Sequence, residues 1–166
     1  MTLVLSFIGI AILVGVVVTF ARTPVPAPSR VTVAQIGSIF ESLGAAPAQP
    51  AFAIVSFTTP ERPRASDALD LQFFKENGRV GFDWPLSTPR NLEDEERFLS
   101  FAHAMGFVPR PMETNGIRHL RVDEGDVLRL CLRVITELYG QPQDARIELI
   151  VEGFEEKIIA AALQAK

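Results

Sequence analysis

Apolar and polar positions change rhythm several times along this chain, and each change marks an element. Leu3 to Phe20 (LVLSFIGIAILVGVVVTF) carries no charge over eighteen residues. At about 1.5 Å of rise per residue such a helix is about 27 Å long, close to the roughly 30 Å hydrocarbon core of a bilayer. Residues 1–22 therefore read as an N-terminal transmembrane helix, a membrane anchor. A cleaved secretory signal is the alternative. It needs a basic start and a shorter apolar core of about 7 to 15 residues, and no Lys or Arg precedes this run. Cleavage after Ala27 is disfavoured by Pro28, which leaves Ala21 as the cleavage point of that alternative.

Residues 23–30 (TPVPAPSR) form a Pro-rich linker, semi-rigid because proline fixes φ. Residues 31–166 are long enough for one soluble domain and too short for two. Val33, Ile36, Phe40 and Leu43 recur at helical spacing up to Gly44, predicting a short amphipathic helix over 31–44. Its polar face holds Gln35, Ser38 and Glu41 and no base, so it should pack on the domain and not on a membrane surface. A second proline-bearing spacer, Ala45 to Pro50, leads into the core of the domain, 51–166.

Ala51 to Thr58 is apolar on both faces and predicts a central strand. Asn77-Gly78 then separates two alternating runs, the signature of a two-residue hairpin. Counting outward pairs Glu76 with Arg79, Phe74 with Gly81, Phe73 with Phe82, Gln72 with Asp83 and Leu71 with Trp84. Leu71, Phe73, Val80, Phe82 and Trp84 then share a core face, and Phe74 covers a strand glycine on the other. Asn91 caps the next predicted helix, which carries Leu92, Phe98, Leu99, Phe101, Ala102 and Met105 and stops at Gly106. A second hairpin turns at Asn115-Gly116 and pairs Glu113 with Arg118, Met112 with His119 and Pro111 with Leu120. Pro109 and Pro111 place 108–114 at a sheet edge. Asp126 opens a buried helix over Val127 to Tyr139, Arg146 to Glu152 alternates as a strand, and Phe154, Ile158, Ile159, Ala162 and Leu163 suggest a final helix.

The predicted class is α+β, a mostly antiparallel sheet with helices packed on one face, preceded by the transmembrane helix. The order of elements is similar to that of small α/β chaperone-like domains that bind secreted or unfolded partners, in element order and in no motif residue.

Charge narrows the function. A net charge of −4, with thirteen arginines scattered along the chain, excludes the concentrated basic surface that nucleic acid requires. The acidic run Glu93 to Glu96 falls where a helix begins, where carboxylates are favoured by the helix dipole. Arg22 and Arg30 follow the anchor with no base before it, so the soluble domain is expected to face the cytoplasm, and the lone Cys131 is in keeping with that. The periplasm is the alternative. Within the anchor, Ala11, Gly15 and Thr19 recur every four residues, the spacing through which two membrane helices can form a homodimer.

No catalytic, cofactor or metal motif stands out. His103 ends a helix, His119 lies in a hairpin and Cys131 sits on an apolar helix face, with no close ligand pair among them. Trp84 faces the core. The candidate contact residues are Arg62 and Arg64, beside Pro60 and Pro63 in the loop Thr59 to Ala68, stiff and positively charged. The sequence points to a membrane-anchored, noncatalytic interaction, adaptor or accessory domain with a protein partner. Its alternatives are an enzyme whose carboxylate and arginine site is assembled only by the fold, and a periplasmic or envelope binding protein with a cleaved signal.

Overall fold

The computed structural model describes residues 29–46 and 51–152. The anchor with its Ala11, Gly15, Thr19 stripe, linker residues 23–28 and the final helix expected from Phe154 onward lie outside the described residues. Among the described residues no helix is long and apolar enough to cross a membrane.

In chain order the elements are β1 (Ser29–Thr32), α1 (Ile36–Ala45), β2 (Ala51–Phe57), β3 (Leu69–Glu76), β4 (Arg79–Pro85), α2 (Pro89–Glu93), α3 (Glu95–Ala104), β5 (Arg110–Thr114), β6 (Ile117–Val122), α4 (Val127–Arg133) and β7 (Arg146–Glu152). The seven strands form one sheet in the order β1-β7-β2-β3-β4-β6-β5, and the paired neighbours all run antiparallel. The molecule is α+β, and β5 is an edge strand as its prolines require.

Both hairpins take the expected register. Phe74 pairs with Gly81 and Gln72 with Asp83 across the first turn, and Met112 pairs with His119 across the second. Asn77 and Gly78 have φ of 52° and 76°, and Asn115 and Gly116 have 53° and 78°. Two consecutive positive φ values match the right-handed twist of the strands, and Asn-Gly reaches them at low cost. The resulting alternation puts Ala53, Val55, Leu71, Phe73, Phe82, Trp84 and Leu149 into one core with Ile36, Ile39 and Leu43 of α1 and Phe98 and Leu130 of the later helices. Aromatic rings run through it: Phe40 meets Phe73 edge-on, Phe73 meets Phe82, and Trp84 stacks on Phe98 with centroids 4.5 Å apart and planes 6° from parallel.

Several local expectations change. Ser29–Thr32, read as the end of a linker and the start of a helix, is a strand paired with β7, and only Val31 of it is buried. Four residues with one inward position carry no readable period; the strand forms because β7 offers it an edge. The helix itself begins later, with the Gln35 side chain accepting the Thr32 N–H at 2.9 Å. Thr88, not Asn91, caps the next helix, accepting the Asn91 N–H at 3.1 Å, and Pro89 takes the first helical position. The chain breaks at Asp94 between α2 and α3, which shifts the helical phase and leaves Leu92 exposed instead of on the apolar stripe. The helix from Asp126 runs as α4 and ends in a wider π-helical turn, Val134–Leu138, in which Tyr139 N–H donates to Val134 C=O at 3.2 Å.

Asn91 is fully buried and acts as a clamp. Its Nδ2 donates to the Asp70 carbonyl at 2.8 Å, its Oδ1 accepts the Asp70 N–H at 2.9 Å, and its own carbonyl accepts Trp84 Nε1 at 3.1 Å. The amide thus stands in for a missing strand partner at the start of β3. Asn91→Ala takes the partner from two part-buried backbone groups of Asp70, and a group left unsatisfied costs about 1–3 kcal/mol. Chemical unfolding of the full-length protein is expected to show a loss of at least about 2 kcal/mol, with the slope against denaturant unchanged.

Candidate functional site

The strand positions that alternate away from the core make a second face. Register places Phe52, Phe74 and Gly81 in one row across β2, β3 and β4, and Ile54, Gln72, Asp83 and Arg121 in the next, extending onto β6. Phe52, Ile54 and Phe74 are half-buried, whereas the buried side chains of α1, α3 and α4 join the opposite face.

Gly81 determines the local geometry. A Cβ there would lie 2.2 Å from Phe74 Cζ, so the ring rests directly on bare backbone. Above the ring lies the Arg121 guanidinium, its carbon 3.8 Å from the ring centroid. Arg121 grips Asp83 with two parallel bonds, Nε to Oδ1 and Nη2 to Oδ2, both at 2.9 Å, and reaches Glu76 Oε2 at 3.1 Å. Hydrogen bonding to Asp83, reinforced by the carboxylates nearby, raises the guanidinium pKa further. One cation thereby ties β3, β4 and β6 together on the outer face.

His119 lies beside this pair and is buried with Asp83. Its Nδ1 is 3.2 Å from the Ile117 carbonyl, which can only accept, so Nδ1 carries a hydrogen in that contact. Nε2 sits 3.7 Å from Asp83 Oδ2, beyond hydrogen-bonding reach. Among the described residues it is the one buried side-chain polar atom without a partner. His119, Asp83 and Arg121 line a cleft of about 300 Å³ whose apolar walls include Phe52, Ile54, Pro85 and Ile117. A second depression shares Phe52, Gln72, Thr114 and Arg121 with it, so the two join into a groove under the tip of the β5–β6 hairpin.

The residues singled out in the sequence fall elsewhere. Arg62 is held by Glu93 at 2.6 Å, Arg64 is exposed, and neither lines the groove. His103 is in the last turn of α3 and exposed. Cys131 is buried in α4, where desolvation pushes its thiol pKa far above the usual value. Among the described residues no group of three His, Cys, Asp or Glu gathers as metal ligands. Trp84 packs in the core and bonds Asn91. The acidic loop Asp123 to Asp126 lines another depression, of about 550 Å³, where Arg110 binds Asp123 at 2.5 Å.

Sequence reasoning gave Asp83 no role and weighed His119 only as a metal ligand with His103 and Cys131. Each hairpin register was legible, but the β4–β6 pairing that brings Asp83 opposite Arg121 joins residues thirty-eight positions apart. The available signal was a single carboxylate inside the run Val80 to Leu86, on the side turned from the core. Compared with known protein families, characterised proteins and solved structures, the chain matches none.

Two substitutions test this geometry. Gly81→Ala forces the Phe74 ring aside and is expected to destabilise the protein by about 1–3 kcal/mol, as overpacking does. Phe74→Ala opens the same space, so the double variant should be more stable than the sum of the two single losses predicts, measured as a double-mutant cycle by chemical unfolding. On the same face, burial raises the Asp70 carboxyl above its ordinary value of 3.8, partly offset by a hydrogen bond with Ser56. The folded state therefore holds that proton more tightly than the unfolded chain, and this contribution to stability is present at low pH and lost as pH rises from the ordinary carboxyl value through the raised one. Asp70→Asn removes the loss. Relative to the native protein it is expected to gain in thermal midpoint between about pH 3 and pH 7, whereas a pH-independent difference would contradict the raised value.

Proposed function

We propose that this chain is a membrane-anchored, noncatalytic interaction domain, an adaptor or accessory module facing the cytoplasm, that holds a protein partner in the groove on the outer face of its sheet. The observation that carries the reading is that groove, with half-buried Phe52, Ile54 and Phe74 beside a buried polar centre and, among the described residues, no helix residue of the core packed over it. The uncharged run Leu3 to Phe20 supports the membrane tether, and Arg22 and Arg30 support the orientation.

The polar centre is better arranged for recognition than for turnover. A general base has to reach a substrate proton, and His119 Nε2 is enclosed on the side facing Asp83. Asp83 is committed to Arg121 through both oxygens. Cys131, the one cysteine, belongs to the opposite face and is held as a thiol by burial. The gathering of Asp83, Arg121 and His119 is also the observation that favours the rival reading, an enzyme with a fold-assembled carboxylate and arginine site.

Quantitative affinity purification of the tagged full-length protein from detergent-solubilised membranes tests the reading. A stoichiometric partner is expected with the native chain and with Arg64→Ala, and at least tenfold less of it with Ile54→Lys, whose thermal midpoint should stay near that of the native protein. Equal retention by Ile54→Lys would remove the groove from the interaction. A carboxy-terminal reporter that works only outside the cytoplasm is expected to be silent, and an active one would reverse the orientation.

A further inference from the structure

The end of β7 runs directly into the groove. Ile150 stands opposite Ile54 and Glu152 opposite Phe52, so the last rows of that strand continue the apolar wall made by Phe52 and Ile54. Ile150, Ile54 and Phe52 are all half-buried, and Ile117 on the far wall is 49 % exposed. The other side of β7 is already taken: Ile147 and Leu149 are buried in the core and Val151 packs against it. Any apolar stretch that follows β7 in the chain therefore finds its free apolar surface on the outer face. Residues 153–166 lie outside the described residues, but their sequence supplies such a stretch. Phe154, Ile158, Ile159, Ala162 and Leu163 recur at helical spacing, Glu155 and Glu156 fall in the first turn, where acids favour a helix, and Gly153 stands where the chain has to reverse. A helix from Phe154 to Leu163 is about 15 Å long, and three strand spacings, from β7 over β2 and β3 to β4, come to about 14 Å.

Resting on the interaction reading above, we propose that the segment 154–163 is the groove's resident occupant, a helix that sets Phe154 and Ile158 on Phe52, Ile54 and Ile150, and that the partner binds by displacing it. Two opposing effects make the cover displaceable. A helix of about ten residues is marginal in water by itself, so this one holds only while it is docked. Its attachment to β7 gives it an effective concentration of roughly millimolar at the groove, which a free competitor has to overcome. The segment thus keeps Phe52 and Ile54 from unspecific apolar contacts and yields to a partner whose apolar surface fits them better. It sets the threshold of the interaction and leaves the buried Asp83 and Arg121 pair undisturbed.

The test uses the full-length protein in detergent micelles and two pairs of cysteine substitutions. Ile54→Cys with Ile158→Cys is expected to form an internal disulfide in a thiol–disulfide buffer at least tenfold faster than Ile54→Cys with Glu156→Cys, because positions two apart lie on different sides of a helix. Cys131 is buried and does not compete. The seat is read from this rate ratio by peptide mapping, with no partner present. The competition is read from Ile158→Asp, which should keep the thermal midpoint near that of the native protein and retain at least threefold more partner in the affinity purification. Equal disulfide rates for the two pairs would overturn the seat, and unchanged retention by Ile158→Asp would overturn the competition. Equal rates together with a partner that is still lost on Ile54→Lys would sink this proposal alone and leave the interaction reading standing. A native chain that retains no partner would remove the interaction reading and the competition with it, whatever the disulfide rates.

Discussion

The outer face of this sheet depends on a missing side chain. Because Gly81 has no Cβ, Phe74 lies flat against β4 instead of standing off it, and the flat ring is the surface on which Arg121 stacks. From there the guanidinium reaches Asp83 and Glu76 together, which no arginine on an upright ring would do with the same geometry. The cost of the glycine, roughly 0.5–1 kcal/mol relative to alanine in regular structure, is offset by the aromatic burial and by the cation over the ring. Gly81, Phe74, Arg121 and Asp83 form one cooperative unit, and the position of His119 follows from it.

The worth of that unit lies in arrangement more than in stability. Asp83 is nearly fully buried and Arg121 mostly so, and taking such a pair out of water costs several kcal/mol that their attraction and hydrogen bonds only approximately return. An all-apolar replacement of similar volume would hold the strands at least as well. The polar version holds one particular geometry, with both oxygens of Asp83 oriented and the face of Phe74 covered. The opposite face packs its aromatic rings against one another, with an Arg90–Asp94 pair and the Tyr139 hydroxyl meeting at its margin, while Asn91 and Lys75 enter it to satisfy backbone at element ends. Lys75 is the example for α1, donating to the carbonyls of Gly44 and Ala46 at 2.6 and 2.5 Å, where a cation also meets the negative end of the helix.

Much of this architecture was legible from local pattern. The two Asn-Gly turns carried their register with them, since Asn and Gly at consecutive positive φ leave a single alignment for the flanking strands. The covering of Gly81 by Phe74 followed from that register alone. What stayed illegible was of two kinds. Short elements such as Ser29–Thr32 and Pro89–Glu93 have too few residues to display a period, and their form is set by a neighbour, an open edge at β7 in one case and the backbone of Asp70 in the other. The site itself was hidden because its members come from β4 and β6, which are joined only through the sheet. Arg62, conspicuous in the sequence for its charge beside proline, is spoken for by Glu93.

The strand β1 gives the molecule a mechanical property. It is four residues long, lies at the sheet edge and pairs only with β7, beginning with Ser29 opposite Leu149. Any load arriving along the residues that precede it enters the fold at Ser29, on the outermost pair of that ladder. Such a strand can be stripped away a pair at a time while β2, β3, β4 and β6, which hold the groove, stay hydrogen-bonded to one another. A pull on the chain at Ser29 would therefore release β1 before it disturbed the ladder that holds Asp83 opposite Arg121, as a fuse parts before the circuit it protects.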